Sequence, residues 1–107
     1  MARKGTNYKR GVIKEREIMD EKSSKGMESI RTAGSHGVFD VISWSDKEVV
    51  FTQAKREKTS PKSVVAKYNK YREDIHQISL TKTPKGNTLK ELLVWTDRQG
   101  FTSILIL

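Results

Sequence analysis

The sequence predicts an α/β fold, a mixed β-sheet with helices packed against it, in the order α-β-β-β-α-β-β. Three observations carry this. Two apolar runs, 38–44 and 49–55, flank a short polar turn, Ser45-Asp46-Lys47. Apolar residues then recur at helical spacing as Val64, Tyr68, Tyr71, Ile75 and Ile78. Two further apolar runs, 89–96 and 101–107, lie on either side of the turn Asp97-Arg98-Gln99-Gly100.

The elements follow in order. Residues 1–10 are polar and basic and are expected to form a flexible arm. A helix is expected over 11–24, with Val12, Ile18 and Met19 as its apolar stripe and Lys25-Gly26 as its stop. Residues 27–32 read as a strand and 33–37 as a loop. The runs 38–44 and 49–55 read as paired strands. Thr59-Ser60-Pro61 is a helix start, a hydroxyl cap followed by proline. Residues 81–87, with Pro84 and Gly86, are a loop. A length of 107 residues and 35% hydrophobic content point to one domain, 1–107, with a modest core.

Charge narrows the partner. Lys and Arg number 21 against 13 Asp and Glu, for a net +8. Arg3, Lys4, Lys9 and Arg10 lie in the first block; Lys55, Arg56, Lys58, Lys62, Lys67, Lys70 and Arg72 form a second, with Glu57 as its one acid. Two such blocks favour nucleic acid over a membrane or an acidic protein. The chain has no cysteine, which excludes disulfides and thiolate metal sites. No run approaches the ~20 apolar residues of a membrane span, and no signal peptide is apparent, so a cytoplasmic location is expected. Trp44, Trp95 and Phe101 stand in apolar runs and read as packing residues. Tyr68 and Tyr71 on the helical stripe read as core, and His36 as an exposed loop residue.

One constellation carries chemistry. Side chains alternate along a strand, so Gln53 and Lys55 share a face. If the two runs pair as a hairpin, Asp40 comes level with them. An acid inside an apolar run is costly without a cation partner. An acid, an amide oxygen and a lysine at one point suit metal-assisted attack on a phosphate.

The layout Glu…Asp…(Glu/Gln)-x-Lys resembles the PD-(D/E)xK nuclease superfamily. Upstream, Arg10-Gly11 and Glu15-Arg16-Glu17, followed by Arg31-x-x-Gly34-Ser35-x-Gly37-x-x-Asp40, resemble archaeal-type Holliday junction resolvases. The resemblance is good over 3–55 and holds in outline beyond. It implies a restriction-endonuclease-like mixed sheet flanked by helices. It implies a metal-dependent endonuclease that resolves four-way DNA junctions by paired phosphodiester hydrolysis. Mg²⁺, with Mn²⁺ able to substitute, would be held by Asp40, the Gln53 oxygen, the Ala54 carbonyl and Glu15, and Lys55 would orient the nucleophile. Arg3, Lys4, Lys9, Arg10, Arg16, Arg31, Ser35, Arg56, Lys58 and Lys62 would contact DNA. A homodimer would supply the two cuts, the apolar run 101–107 or the adjoining helix offering a surface for it. The family has Glu where this chain has Gln53, a neutral amide that still offers a carbonyl oxygen to a hard cation. Other readings are another nuclease of the superfamily (repair, flap or restriction type), a catalytically weakened DNA-binding relative, and a small basic RNA-binding protein without an active site.

Overall fold

A computed structural model of the chain describes residues 2–32 and 37–106, with side chains from Ile13 onward. Its elements are α1 (Ala2–Ser24), β1 (Glu28–Arg31), β2 (Val41–Trp44), β3 (Val49–Glu57), α2 (Val64–Lys70), α3 (Arg72–Leu80), β4 (Thr88–Thr96) and β5 (Gly100–Ile106). The described strands form one five-stranded sheet in the order β1-β2-β3-β4-β5. β3 and β4 are parallel, joined through α2 and α3, and the other neighbours are antiparallel. The mixed sheet flanked by helices is the architecture the sequence predicted.

The differences lie at element ends. Helix α1 begins at Ala2, so the segment 1–10 expected as an arm is helical backbone from Ala2 on. Gly5 and Gly11 each cost about 1 kcal/mol in a helix, and Lys, Arg and Ala around them favour it. The C-terminal stop is where the sequence put it. Met27 N–H donates to Lys22 O and Gly26 N–H to Ser23 O, both at 3.0 Å. Gly26 has φ +82°, which a glycine adopts at little cost.

The single helix expected after Thr59-Ser60-Pro61 is two. Ser63, not the upstream hydroxyls, caps α2 by accepting from Ala66 N–H, and Tyr71 with φ −102° and ψ 22° is the joint to α3. This break divides the apolar stripe. Tyr71 and Ile78 are fully buried, but Val64 is 70% and Tyr68 47% exposed, so Tyr68 is not the core residue expected. At its far end α3 is closed by Lys90 of β4, whose ammonium donates to Ile78 O, Ser79 O and Thr81 O.

Each sheet face has its own core. On the α2–α3 face, Tyr71 and Ile78 pack with Phe39, Leu92, Val94, Ile104 and Ile106. On the α1 face, Ile18 packs with Val41 and Leu93, flanked by Met19, Ala54 and Phe101. Trp95 meets Phe101 edge-on at 4.9 Å and carries the Lys14 ammonium 3.6 Å over its ring. These aromatics are packing residues, as expected.

Beneath α1 lies a buried polar network that the sequence did not reveal. Glu91 Oε2 accepts from Lys22 Nζ at 2.8 Å and from Thr52 Oγ1 at 2.7 Å, while Oε1 accepts from Ser103 Oγ at 2.9 Å. It ties α1, β3, β4 and β5 together. Burial alone would raise the Glu91 carboxyl. The hydrogen bonds and the Lys22 charge outweigh burial and hold it below its ordinary value of 4.5.

Two outcomes follow from this network. Glu91→Gln leaves Lys22 buried without a counter-charge and should cost about 3 kcal/mol in denaturant unfolding. A carboxyl lowered on folding contributes stability that is complete above its unfolded value and lost as pH falls through its folded value. The wild type should therefore lose stability below about pH 4.5 more steeply than the Glu91→Gln chain. Parallel unfolding curves from pH 6 to 3 would contradict this role.

Candidate active site

Strand register brings the predicted residues together. Val41 of β2 stands opposite Thr52 of β3. Continued by one residue, this register sets Asp40 beside Gln53. Asp40 N–H donates to Thr52 O at 2.8 Å, fixing the backbone just ahead of β2. The Asp40 carboxylate in turn accepts from Ala54 N–H at 2.8 Å. Gln53 and Lys55 alternate onto the α2–α3 face, and Ala54 onto the α1 face between them.

Glu15 reaches this point from the opposite helix. Glu15, Ile18 and Lys22 fall at i, i+3 and i+7, one face of α1. Ile18 and Lys22 are buried against the sheet, which turns Glu15 the same way. Glu17, about 200° round the helix, pairs with Lys14 at 3.1 Å instead. Arg31 of β1 holds Glu15 through Nε to Oε1 at 2.9 Å.

The Asp40 carboxylate has few partners. Burial raises its carboxyl above the ordinary value of 3.8, the Ala54 N–H opposes that, and the Glu15 charge raises it further. Gln53 Oε1 is buried and meets no hydrogen-bond donor. The register sets this oxygen next to Asp40, and the Glu15 charge acts on Asp40 from the α1 side. Carboxylate and carbonyl oxygens are the donors that hard divalent ions take. Among the described residues no three Asp, Glu or His side chains gather.

The lysine is not loose. Lys55 Nζ contacts Asp74 Oδ2 of α3 at 3.0 Å, and the Tyr71 ring centroid lies 5.8 Å from it. Asp74 was missed in the sequence. The signal for it was its place between Tyr71 and Ile78 on the buried stripe, where an acid needs a partner.

The residues expected at DNA are spread more widely. Arg16 and Arg31 line a hollow of about 610 Å³ between α1 and β1, with Met19, Asp20, Ser29 and Ile30. Asp40 and Lys55 do not line it. Arg56 is exposed and lies 3.8 Å from Asp97. Lys58 and Lys62 are exposed beyond β3. Ser35 and His36 lie outside the described residues, as do the side chains of Arg3, Lys4, Lys9 and Arg10. No described helix is long and apolar enough to cross a membrane.

Comparison with known proteins gives a family. The family model described as archaeal Holliday junction resolvase (Hjc) matches residues 6–79. Among solved structures, the chain is similar to Archaeoglobus fulgidus Hjc, a Holliday junction resolvase from an archaeal hyperthermophile. The TM-score is 0.66 at 17% identity, over 90% of this chain and 72% of that one. No curated protein matches. The family match spans more than half the chain and includes Glu15, Arg31, Asp40, Gln53 and Lys55. The chain belongs to the archaeal Holliday junction resolvase family.

Proposed function

We propose that this protein is a divalent-metal-dependent endonuclease that resolves four-way DNA junctions. The observation that carries the reading is the buried Gln53 Oε1, without a donor, beside the Asp40 carboxylate. Mg²⁺, or Mn²⁺ in its place, would be held by Asp40, Gln53, the Ala54 carbonyl and Glu15. Bound there it supplies Lewis-acid activation of a water and neutralises charge on the phosphate. The chain's own groups do the rest. Ala54 N–H and Arg31 keep Asp40 and Glu15 aimed at one point. Lys55 offsets charge on the phosphate and orients the attacking water. Arg16, Arg56, Lys58, Lys62 and the basic residues of early α1 hold the DNA backbone, which makes binding salt-dependent.

A single site makes a single cut, and a four-way junction has near two-fold symmetry, so two copies are required for matched cuts. The surface for this is the β5 edge and α2. Val64, Val65, Tyr68 and Leu105 are exposed there, at 70%, 72%, 47% and 52%. Val64, Tyr68 and Leu105 border a hollow of about 230 Å³ lined also by Lys67, Thr102, Ser103 and Ile104. Edge strands left open invite pairing, and exposed apolar groups so close together mark an interface.

Four measurements test this reading. Labelled four-way junction, flap and linear duplex should be compared with Mg²⁺ and with EDTA. The wild type should cut the junction in Mg²⁺ alone, and Asp40→Asn should cut at least about a hundredfold more slowly. The same change should raise the melting temperature in EDTA. It keeps an acceptor for Ala54 N–H but removes a half-buried charge whose raised carboxyl value works against folding at neutral pH. Junction cleavage by Asp40→Asn at the wild-type rate would contradict the site. Gln53→Glu should lower the Mg²⁺ concentration needed for half-maximal rate and Gln53→Ala should raise it; identical titrations would remove Gln53 from the ligand set. Light scattering at micromolar concentration should give twice the 12.2 kDa of one chain. Leu105→Glu or Tyr68→Glu should give a folded monomer, and a wild-type monomer that still makes paired cuts would contradict the dimer.

A further inference from the structure

We propose that Asp74 is a positioning residue for Lys55, holding its ammonium clear of the Asp40–Gln53 pair and presenting it to the phosphate. This rests on the nuclease reading above.

Lys55 is two residues along β3 from Gln53 on the same face, a separation of about 7 Å at strand rise. A four-carbon stem with free rotation spans that distance easily. Two carboxylates, Asp40 and Glu15, stand close enough that the charge of one raises the other. An untethered ammonium would settle on them, occupy the oxygens a divalent ion needs, and leave the position from which it can act on the phosphate.

The fold gives it another anchor. Asp74 Oδ2 lies 3.0 Å from Lys55 Nζ, with the two side chains 25% and 35% exposed. Asp74 is in the first turn of α3, where the helix N-terminus favours a carboxylate. It is three residues after Tyr71 and four before Ile78, both fully buried, so it faces the sheet and not solvent. Tyr71 closes the other side. Its ring centroid is 5.8 Å from the ammonium, and its hydroxyl is 3.0 Å from Ser60 Oγ, which fixes the ring. Partly exposed ion pairs contribute little to stability, so the pair is not explained as a fold staple. The acid therefore acts on where Lys55 points.

The test is a split between chemistry and binding. Asp74→Asn, Asp74→Glu, Lys55→Ala and the Lys55→Ala/Asp74→Asn double variant are assayed on the four-way junction in Mg²⁺. Junction affinity in EDTA and melting temperature are measured alongside. Asp74→Asn should lower kcat roughly tenfold to a hundredfold, as loss of an orienting partner does, with affinity and melting temperature unchanged. Asp74→Glu should recover most of the rate. The double variant should be no slower than Lys55→Ala, because Asp74 acts through the lysine. NMR of the lysine ammonium groups should show Lys55 ordered in the wild type and averaged in Asp74→Asn. Three results would overturn the inference while leaving the nuclease reading intact: a wild-type rate in Asp74→Asn, further slowing in the double variant, or a loss of rate matched by a fall in melting temperature. A wild-type chain that cuts no DNA substrate would overturn the nuclease reading itself, and the inference with it.

Discussion

The structure hangs on the buried carboxylate of Glu91. It sits on the second-to-last strand of the sheet and takes hydrogen bonds from three other elements, through Lys22, Thr52 and Ser103. A charge in such a place destabilises the fold unless it is matched, and here it is matched by an ammonium and two hydroxyls. The consequence extends beyond stability. Lys22 fixes the rotation of α1 about its own axis, and Glu15 stands two helical turns before it on the same face. Where Lys22 is held, Glu15 must lean toward Asp40. The network on one side of the sheet thereby sets the helix face that carries Glu15.

The site obeys the opposite logic. Asp40 has one backbone donor, a neighbouring negative charge and no described side-chain cation within salt-bridge distance. Gln53 has no donor for its buried oxygen. The same chain satisfies one buried acid with three donors and leaves another acid and an amide short. Unmet polar groups are costly, and they persist where function requires them. Lys55 pairs with Asp74.

The strands were legible because their signal is local. The apolar runs from Val38 to Trp44 and from Val49 to Lys55, split by a polar turn, gave the pairing, and the alternation of side chains along any strand gave the face shared by Gln53 and Lys55. The register then follows from the turn between them. Glu15 was reached through family resemblance and not through pattern, since Glu15-Arg16-Glu17 alone is an ordinary charged helix face. The helix ends were less legible. Ala2 to Arg10 lacks an apolar stripe, so periodicity gave no reason to extend α1. The break at Tyr71 left no mark, because the apolar spacing from Val64 to Ile78 runs across it unchanged. Long-range polar pairs escaped altogether. Lys22 and Glu91, or Lys55 and Asp74, are lysines and acids far apart in the chain, and only the packed sheet makes them partners.

The claim on which the rest depends is that Asp40, Gln53 and Glu15 form a divalent-cation site. The most direct measurement is paramagnetic broadening of backbone amide resonances as Mn²⁺ is added to the free protein. The account predicts that signals of Asp40, Gln53 and Ala54 disappear first, with residues around Glu15 close behind, and that Asp40→Asn abolishes this pattern. Broadening centred elsewhere, or unchanged in Asp40→Asn, would contradict it.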